Sequence, residues 1–307
     1  MPGISVAASI RLFGFVLVAM SGAPCVTWSE QPPKATVVSG FASPESVLIS
    51  GGRRFVSNIG RVLDPVAKDG DGFISEVSAD GQIVNLRAFP PKGESLNAPK
   101  GMAVAGARLY VADIDRVVGF DLTTGGKVFE AHLPQGTPPL ANDLATVDEN
   151  TLLVTDTFRN AVYRLDLGSG EYTELTNQIP GANGIAYDQR HRRAIVVGLG
   201  ERFSGGDLFF LGADGIPKRA EKGPHGILDG LELLPDGRMV VSDWTAVDRP
   251  TPGVLKILSS EGEVLRTLDL GVSINGPADF AIDKANLTFW IPALVENTVV
   301  IVHPKLD

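Results

Sequence analysis

Short apolar runs separated by turn-forming residues recur along most of the chain. A typical unit opens with a polar residue, often followed by Gly, and continues as two apolar runs joined by a turn. One unit covers residues 229–233, turns at 235–237 and continues at 239–243. Aliphatic and β-branched runs of this length, bounded by Gly, Pro, Asn and Asp, are typical of β-strands joined in hairpins. The pattern therefore predicts an all-β protein of many short strands.

This unit occurs six times, so the chain contains an internal repeat. The units open at positions 45, 100, 142, 183, 229 and 278, so the spacings are 55, 42, 41, 46 and 49 residues. A four-stranded propeller blade takes roughly 40–50 residues, and most units continue with a third and a fourth strand. We therefore expect a six-bladed β-propeller with four-stranded blades over residues 35–307. An irregular β-sandwich or solenoid is the alternative.

The two ends of the repeat complement each other. The last unit stops after three strands, at residues 299–303, whereas the apolar segment at 35–39 belongs to no unit. An open sheet edge favours aggregation. We therefore expect this N-terminal segment to supply the missing strand and close the ring.

The first residues of the chain follow a different pattern. Arg11 precedes a nine-residue apolar run at 12–20, and small residues follow it. This layout is typical of a secretory signal peptide, and a membrane-spanning helix would need about 20 apolar residues. A buried core helix is the alternative. We expect a signal peptide at 1–25, a linker at 26–34 and an exported protein, periplasmic or secreted, without a stable membrane span after cleavage.

Composition narrows the function classes. Lys and Arg number 27 against 36 Asp and Glu, which gives a net charge of −9 and makes nucleic acid an unsuitable partner. The single cysteine, Cys25, lies at the expected cleavage region, so no disulfide can form within the chain. We expect a monomer that acts on a small-molecule substrate.

The residues that open the six units carry the candidate chemistry. Innermost strands of a propeller surround a central channel, so their first residues form a ring at one mouth. That ring consists of Glu45, Lys100, Asn142, Asn183, Asp229 and Ala278. Two carboxylates and two carboxamides suit a hard cation such as Ca²⁺, which takes about 6–8 oxygen ligands. The alternative is that these are ordinary turn residues, as Asn-Gly and Asp-Gly often are.

At these residues the sequence resembles the senescence-marker-protein/gluconolactonase/luciferin-regenerating-enzyme superfamily of six-bladed propellers. The resemblance covers about residues 35–303 and rests on four motifs: Ser43-Pro44-Glu45-Ser46-Val47, Ala141-Asn142-Asp143, Ala182-Asn183-Gly184 and Leu228-Asp229-Gly230. It implies one divalent cation, usually calcium, held by Glu45, Asn142, Asn183 and Asp229. It also implies hydrolysis of lactones or related esters, sometimes of organophosphates. Leu140 replaces an Arg that holds sugar-acid substrates in some members, which argues against a sugar lactone.

The expected reaction is therefore metal-dependent hydrolysis at the mouth, where a cation acts as a Lewis acid. Asp229, or a water held by it, would be the base or nucleophile, and His225 lies close enough in sequence to shuttle protons. Lys100 either reaches toward a substrate carboxylate or is solvated at the rim, and the rim interpretation is preferred.

A second set of acids follows the second strand of several units. Asp113, Asp156 and Asp243 end these strands and, with alternating strand directions, lie near the same mouth. They are candidate substrate-binding residues. Equally, they could accept hydrogen bonds from turn amides.

Two other functions remain open. A non-catalytic binding propeller, similar to the NHL-like repeat proteins, would capture a small molecule or a peptide at the same mouth. A redox propeller with a quinone cofactor would need more Arg and His at the mouth than the chain provides.

Overall fold

The computed structural model describes residues 1–3, 33–247, 249 and 251–306. The chain divides into two compact units, Met1–Gln31 and Pro32–Asp307, and every strand described below belongs to the second. The expected signal sequence, the cleavage region with Cys25 and nearly all of the linker lie outside the described residues. No helix among the described residues is long and apolar enough to span a bilayer.

The described residues form 26 β-strands, two short 3₁₀ helices and no α-helix. In chain order the strands are β1 Ala35–Ser39, β2 Pro44–Ser50, β3 Arg53–Asn58, β4 Phe73–Val77, β5 Ile83–Phe89, β6 Pro99–Ala105, β7 Arg108–Asp113, β8 Arg116–Asp121, β9 Lys127–His132, β10 Ala141–Asp148, β11 Thr151–Asp156, β12 Ala161–Asp166, β13 Tyr172–Thr176, β14 Ala182–Asp188, β15 Arg193–Gly198, β16 Gly206–Leu211, β17 Pro217–Arg219, β18 His225–Gly226, β19 Leu228–Leu233, β20 Met239–Asp243, β21 Pro252–Leu258, β22 Val264–Thr267, β23 Ile274–Asn275, β24 Ala281–Asp283, β25 Thr288–Ala293 and β26 Thr298–Val302. The 3₁₀ helices are Glu201–Phe203 and Leu294–Glu296.

These strands build six antiparallel blades, which confirms the predicted six-bladed propeller. Blades one to three are β2–β5, β6–β9 and β10–β13, blade four is β14–β17, and blade five is β19–β22. Two short strands, β18 and β23, pair with β16 and β21 beside blades four and five. The sixth blade begins at β24, whose first residue, Ala281, comes three positions after the expected opening at Ala278.

The ring closes as the sequence predicts. The sixth sheet has the order β1-β26-β25-β24, so its outer strand comes from the beginning of the fold. The register pairs Ala35 with Val302 and Ser39 with Thr298. This pairing leaves β26 with a partner on both sides.

The core lies between the blades. Each blade packs on the next through one apolar cluster, and six such clusters complete the circle. Successive residues of one strand serve opposite neighbours: in β11, Leu152 and Val154 pack toward blade two, whereas Leu153 packs toward blade four. A strand buried on both faces needs apolar residues at consecutive positions. This explains why the blade strands read as continuous apolar runs in the sequence.

Candidate functional site

A β-bulge positions the ring residues in five of the six blades. In blade three, three steps from Ala141 to Leu144 face only two steps from Asp156 to Val154, so the innermost strand carries one extra residue there. The same shift occurs at the start of β2, β6, β14 and β19. Bulges redirect side chains away from the regular sheet alternation and are frequent beside active sites. Here they lie at the predicted ring positions.

The acids that end the second strands hold the chain just before these bulges. Asp113 Oδ1 accepts the backbone N–H groups of Asn97 and Ala98, both at 2.9 Å. Asp156 Oδ1 accepts the N–H of Leu140 at 2.9 Å. Each of these carboxylates therefore fixes the backbone of the residues just before an innermost strand.

Asp243 repeats this arrangement in blade five, where its Oδ1 accepts the N–H of Ile227 at 3.1 Å. All three acids also form ion pairs: Asp113 with Arg116 at 2.9 Å, Asp156 with Arg159 at 3.5 Å and Asp243 with Lys256 at 2.7 Å. None of the three lines the cavity at the mouth. Their contacts match the turn-amide interpretation, and their substrate-binding role stays a prediction without support from these contacts.

Five of the six predicted ring side chains meet at one cavity. They are Glu45, Lys100, Asn142, Asn183 and Asp229, and they line a space of about 240 Å³ that we call the mouth cavity. Each comes from the innermost strand of a different blade. Ala278 instead packs in a small apolar cluster with Ile59 and Leu294.

Three oxygens of this ring have no hydrogen-bond partner among the described residues. They are Glu45 Oε2, Asn183 Oδ1 and Asp229 Oδ1, and their residues are only 5%, 2% and 6% exposed. Leaving a buried polar atom unpaired costs about 1–3 kcal/mol. Three such atoms in one ring therefore indicate a place for an electropositive ligand.

Neighbouring groups orient the ring side chains. Trp244 Nε1 donates to Asp229 Oδ2 at 2.7 Å, which leaves Oδ1 as the unpaired oxygen of that carboxylate. Asn142 Nδ2 donates to Thr157 Oγ1 at 2.9 Å, and this hydroxyl donates onward to the carbonyl of Ala182 at 2.8 Å. The carboxamide oxygen of Asn142 is therefore the atom that remains for a ligand.

The buried carboxylates repel one another. Burial raises the pKa of Glu45 well above its usual range, and the negative charge of Asp229 raises it further. Burial also raises the pKa of Asp229, to about 7, although the hydrogen bond from Trp244 and the nearby carboxamide of Asn183 lower it. A divalent cation between the two carboxylates would remove this repulsion. Among the described residues no three His, Cys, Asp or Glu side chains form a metal cluster, so a cation in this ring would also need the two carboxamides as ligands.

Lys100 lies inside the ring and not at a solvated rim, so the preferred sequence interpretation is wrong. The residue is 2% exposed, and its Nζ donates to the carbonyls of Pro65 and Ala98, both at 2.8 Å. Burial lowers the pKa of Lys100 to about 8, although the charges of Glu45 and Asp113 oppose this shift. The loop that carries Pro65 covers the side chain, and the sequence alone does not reveal that contact.

His225 lies outside the mouth cavity. It belongs to β18, its side chain is 68% exposed, and its Nδ1 lies 3.0 Å from Asp207 Oδ1. No histidine among the described residues lines the cavity. The proton-shuttle role of His225 therefore stays a prediction, and the contacts of His225 do not support it.

Sequence reasoning missed Trp244 and the apolar wall. Trp244 directly follows the strand-end acid Asp243, and a tryptophan at that register was the available signal. The wall contains ten apolar residues, among them Ile59, Leu140 and Ile227. These lie in loops before or after the strands, where no periodic pattern marks them.

The residues that directly follow the six predicted ring positions form a second, deeper ring. We call it the lower ring: Ser46, Gly101, Asp143, Gly184, Gly230 and Asp279. Its two carboxylates line a separate cavity of about 310 Å³ at the opposite end of the innermost strands, beside Glu232 and Lys284. Burial raises the pKa of Asp143 to about 7 and the pKa of Asp279 well above its usual range.

Fold and site together define a six-bladed propeller with an oxygen-rich ring at one mouth. No family model matches the chain, and no curated protein matches its sequence. Solved structures match its fold. Virginiamycin B lyase from Staphylococcus aureus is 14% identical with a TM-score of 0.60, over 88% of this chain and 99% of that chain.

Two further structures are similar. A streptogramin B lyase is 12% identical with a TM-score of 0.60, over 89% of this chain and 98% of that chain. Hydrazine synthase from Kuenenia stuttgartiensis is 16% identical with a TM-score of 0.56, over 83% of this chain and 74% of that chain. At these identities the likeness establishes the propeller fold alone. Membership in the gluconolactonase-like superfamily is not shown.

Proposed function

We propose that the protein is a divalent-metal-dependent hydrolase of lactones or related esters, which acts at the mouth cavity. One observation carries the proposal: three blades each direct a buried, unpaired oxygen to the same ring. Carboxylate and carboxamide oxygens are hard ligands, so Ca²⁺ is the cation we favour. Glu45, Asn142, Asn183 and Asp229 would hold it.

A bound divalent cation would polarise the carbonyl or phosphoryl oxygen of a substrate as a Lewis acid. Asp229 supplies the candidate base or nucleophile. Trp244 fixes one of its oxygens at 2.7 Å, which leaves the other oxygen directed at the ring. The apolar wall excludes water and thereby strengthens the electrostatic interactions within the cavity.

The lyases of similar fold offer a comparison of chemistry. One structure is of a catalytically inactive virginiamycin B lyase, in which a histidine is replaced by alanine, with quinupristin. No histidine of this chain lines the mouth cavity within the described residues. A lyase reaction that depends on a histidine at the mouth therefore has no support here.

A non-catalytic binding propeller is the second candidate. The observation that favours it is the scarcity of titratable groups in the part of the lining that the structure describes: Glu45, Lys100 and Asp229 are present, and both identified hydrogen bonds of Lys100 Nζ go to backbone carbonyls. In that case the cation would shape a binding site and carry out no chemistry.

Metal analysis combined with turnover separates the two candidates. Protein purified with Ca²⁺ would be analysed for bound metal, then assayed with aryl esters and lactones before and after chelation. The hydrolase proposal expects about one cation per chain, turnover lost on chelation and turnover restored by Ca²⁺. Bound metal without turnover on a broad panel would favour the binding protein, and absence of bound metal would overturn the metal site.

We also propose that the protein is exported, on the sequence pattern of residues 1–25. Mass spectrometry of the mature protein, taken from separated cell fractions, tests this. Export predicts a new N-terminus near Cys25 in the extracytoplasmic fraction. An intact N-terminus in the cytoplasmic fraction would overturn it.

A further inference from the structure

The mouth cavity is sharply divided between a polar floor and apolar walls. Among the described residues, the five polar side chains that line it are all ring residues at the floor. The remaining ten lining residues are apolar, and the only polar group among their side chains, the indole N–H of Trp244, is donated to Asp229. A bound molecule would therefore meet polar partners at one end only.

This division is unfavourable for a substrate with many hydroxyl groups. Each hydroxyl buried against an apolar wall without a partner loses its hydrogen bonds to water. Leu140 occupies a wall position close to the ring and is only 3% exposed, so its aliphatic side chain is part of the surface that a ligand would touch. The side chains of the described wall residues offer packing surface and no free hydrogen-bonding group.

The rim of the cavity extends the apolar surface outward. Leu63, Phe203 and Val247 line the cavity and yet are 44%, 40% and 49% exposed. They come from loops of three different blades. Large apolar side chains left in water around one opening mark a site where an apolar ligand binds.

The backbone at Phe203 is strained in a way that supports this role. Phe203 and the preceding Arg202 have φ angles of 62° and 54°, in the left-handed region that bulky residues rarely adopt. Such strain persists only where the surroundings fix it, and it concentrates at ligand-binding segments. The strained turn holds an aromatic ring at the opening.

We propose that the mouth cavity binds an apolar ester or lactone, with the ester group at the polar floor and an alkyl or aryl substituent against the walls and the rim. The inference rests on the proposed function and names its substrate class. The volume of about 240 Å³ lies below the roughly 300–1,000 Å³ of typical drug-sized sites, so the substrate is small and its substituent ends between the rim side chains.

A series of γ-lactones with Ca²⁺ present tests the substrate class. The probes are γ-butyrolactone, γ-hexalactone and γ-nonalactone, with glucono-δ-lactone as the polyhydroxylated comparison. We expect kcat/KM to rise about fourfold for each of the first added methylenes, which corresponds to their burial. Glucono-δ-lactone should be at least about tenfold poorer than γ-hexalactone. Equal turnover along the series, or preference for the gluconolactone, would overturn the inference.

Two exposed rim positions allow variants that should fold normally. Phe203→Ser and Leu63→Ser should each lower the ratio of γ-nonalactone to γ-butyrolactone turnover about fivefold. Val84→Ser is the matched control, because Val84 is 64% exposed on β5, away from the cavity. An unchanged ratio in both rim variants would contradict the placement of the substituent at the rim.

A binding measurement separates failure of this inference from failure of the proposed function. Fluorescence of Trp244 would be titrated with γ-alkyl lactams, which resist hydrolysis, in wild-type protein and in Phe203→Ser. Affinity that increases with chain length, without hydrolysis of any ester, would retain the apolar site and reject the hydrolase. Absence of chain-length dependence in both assays would reject the apolar site.

Discussion

Two rings of residues lie one position apart in the repeat. Their buried carboxylates differ in how many hydrogen-bond partners they have. In the ring at the mouth, Glu45 and Asp229 each keep one oxygen without a partner. In the lower ring, Asp143 directs both oxygens to backbone N–H groups, those of Leu144 at 2.6 Å and Ile185 at 2.8 Å. Asp229 therefore has one oxygen without a partner, whereas both oxygens of Asp143 are paired.

The partners explain this difference. The lower ring holds blades together: Asp143 bridges blade three to blade four, and Asp279 Oδ2 accepts the hydroxyl of Ser46 across the closing junction. In the ring at the mouth, Glu45 Oε2 and Asp229 Oδ1 have no donor among the described residues, and Asp229 Oδ2 accepts only the indole N–H of Trp244. Buried charge that is paired with backbone maintains the fold, whereas buried charge left unpaired is available for a ligand.

The largest effect should come from substituting Asp229 in the ring at the mouth. Asp229→Asn removes the candidate base and one anionic ligand, so we expect kcat/KM for esters to fall by about 10³-fold or more. The melting temperature of the metal-free protein should stay equal or rise, because a repelled buried charge is lost. Steady-state kinetics and thermal unfolding measure both. Full activity in this variant would reject the role of Asp229.

Breaking the lower ring should affect stability instead. Asp143→Ala leaves the N–H groups of Leu144 and Ile185 buried without acceptors, so the free energy of unfolding should fall by about 2–3 kcal/mol. Urea denaturation measures the loss, and Asp229→Asn is the matched comparison. If Asp143→Ala unfolds at the wild-type urea concentration, the structural role of the lower ring is wrong.

A smaller effect should follow from changing the residue that orients Asp229 in the ring at the mouth. Trp244→Phe removes the donor that fixes Asp229 Oδ2, and loss of such an outer partner typically weakens metal binding about 10-fold or more. Calorimetric titration with Ca²⁺ measures the dissociation constant. An unchanged constant would show that the indole does not orient this carboxylate.

The two rings should also make stability depend on pH. The pKa values of Asp229 and Asp143 are raised to about 7 in the fold, so their contribution is present below about pH 4 and is lost as the pH rises through 7. The metal-free protein should therefore unfold at lower temperature at pH 8 than at pH 5. Ca²⁺ should raise the melting temperature more at pH 8, by at least about 3 °C. Equal stabilisation at both pH values would contradict this.

The smallest effect should be at His225. Its ring is exposed and contacts Asp207, so His225→Ala should leave kcat/KM within about twofold of wild type. His191→Ala, which removes another exposed histidine paired with an aspartate, is the control. A tenfold loss specific to His225→Ala would restore the proton shuttle that the sequence suggests.

The repeat made the propeller and the ring predictable. Residues at equal register in successive blades must lie at equal height around the axis, so Glu45, Asn142, Asn183 and Asp229 could be grouped without a structure. The repeat does not predict the contacts that loops make. The carbonyl of Pro65, which accepts from Lys100, belongs to a loop of blade one and has no counterpart at that register in the other units.

Side-chain exposure is a second property that the sequence did not predict. His225 is four residues from Asp229 in sequence, but it lies on β18. This short strand pairs with β16, and the imidazole of His225 is exposed to solvent. Distance along the chain does not decide which side of a short edge strand a residue occupies. The acids Asp113, Asp156 and Asp243 show the same limit, because only the structure reveals that they accept backbone N–H groups ahead of each bulge.

The sixth blade is assembled from both ends of the propeller, and this sets the order of events when the protein is made. Because β1 pairs with β26, more than 250 residues separate the two partners of the last sheet. The circle cannot be completed until the final strand has left the ribosome. Removal of β26 alone would therefore leave β1 with no strand to pair with.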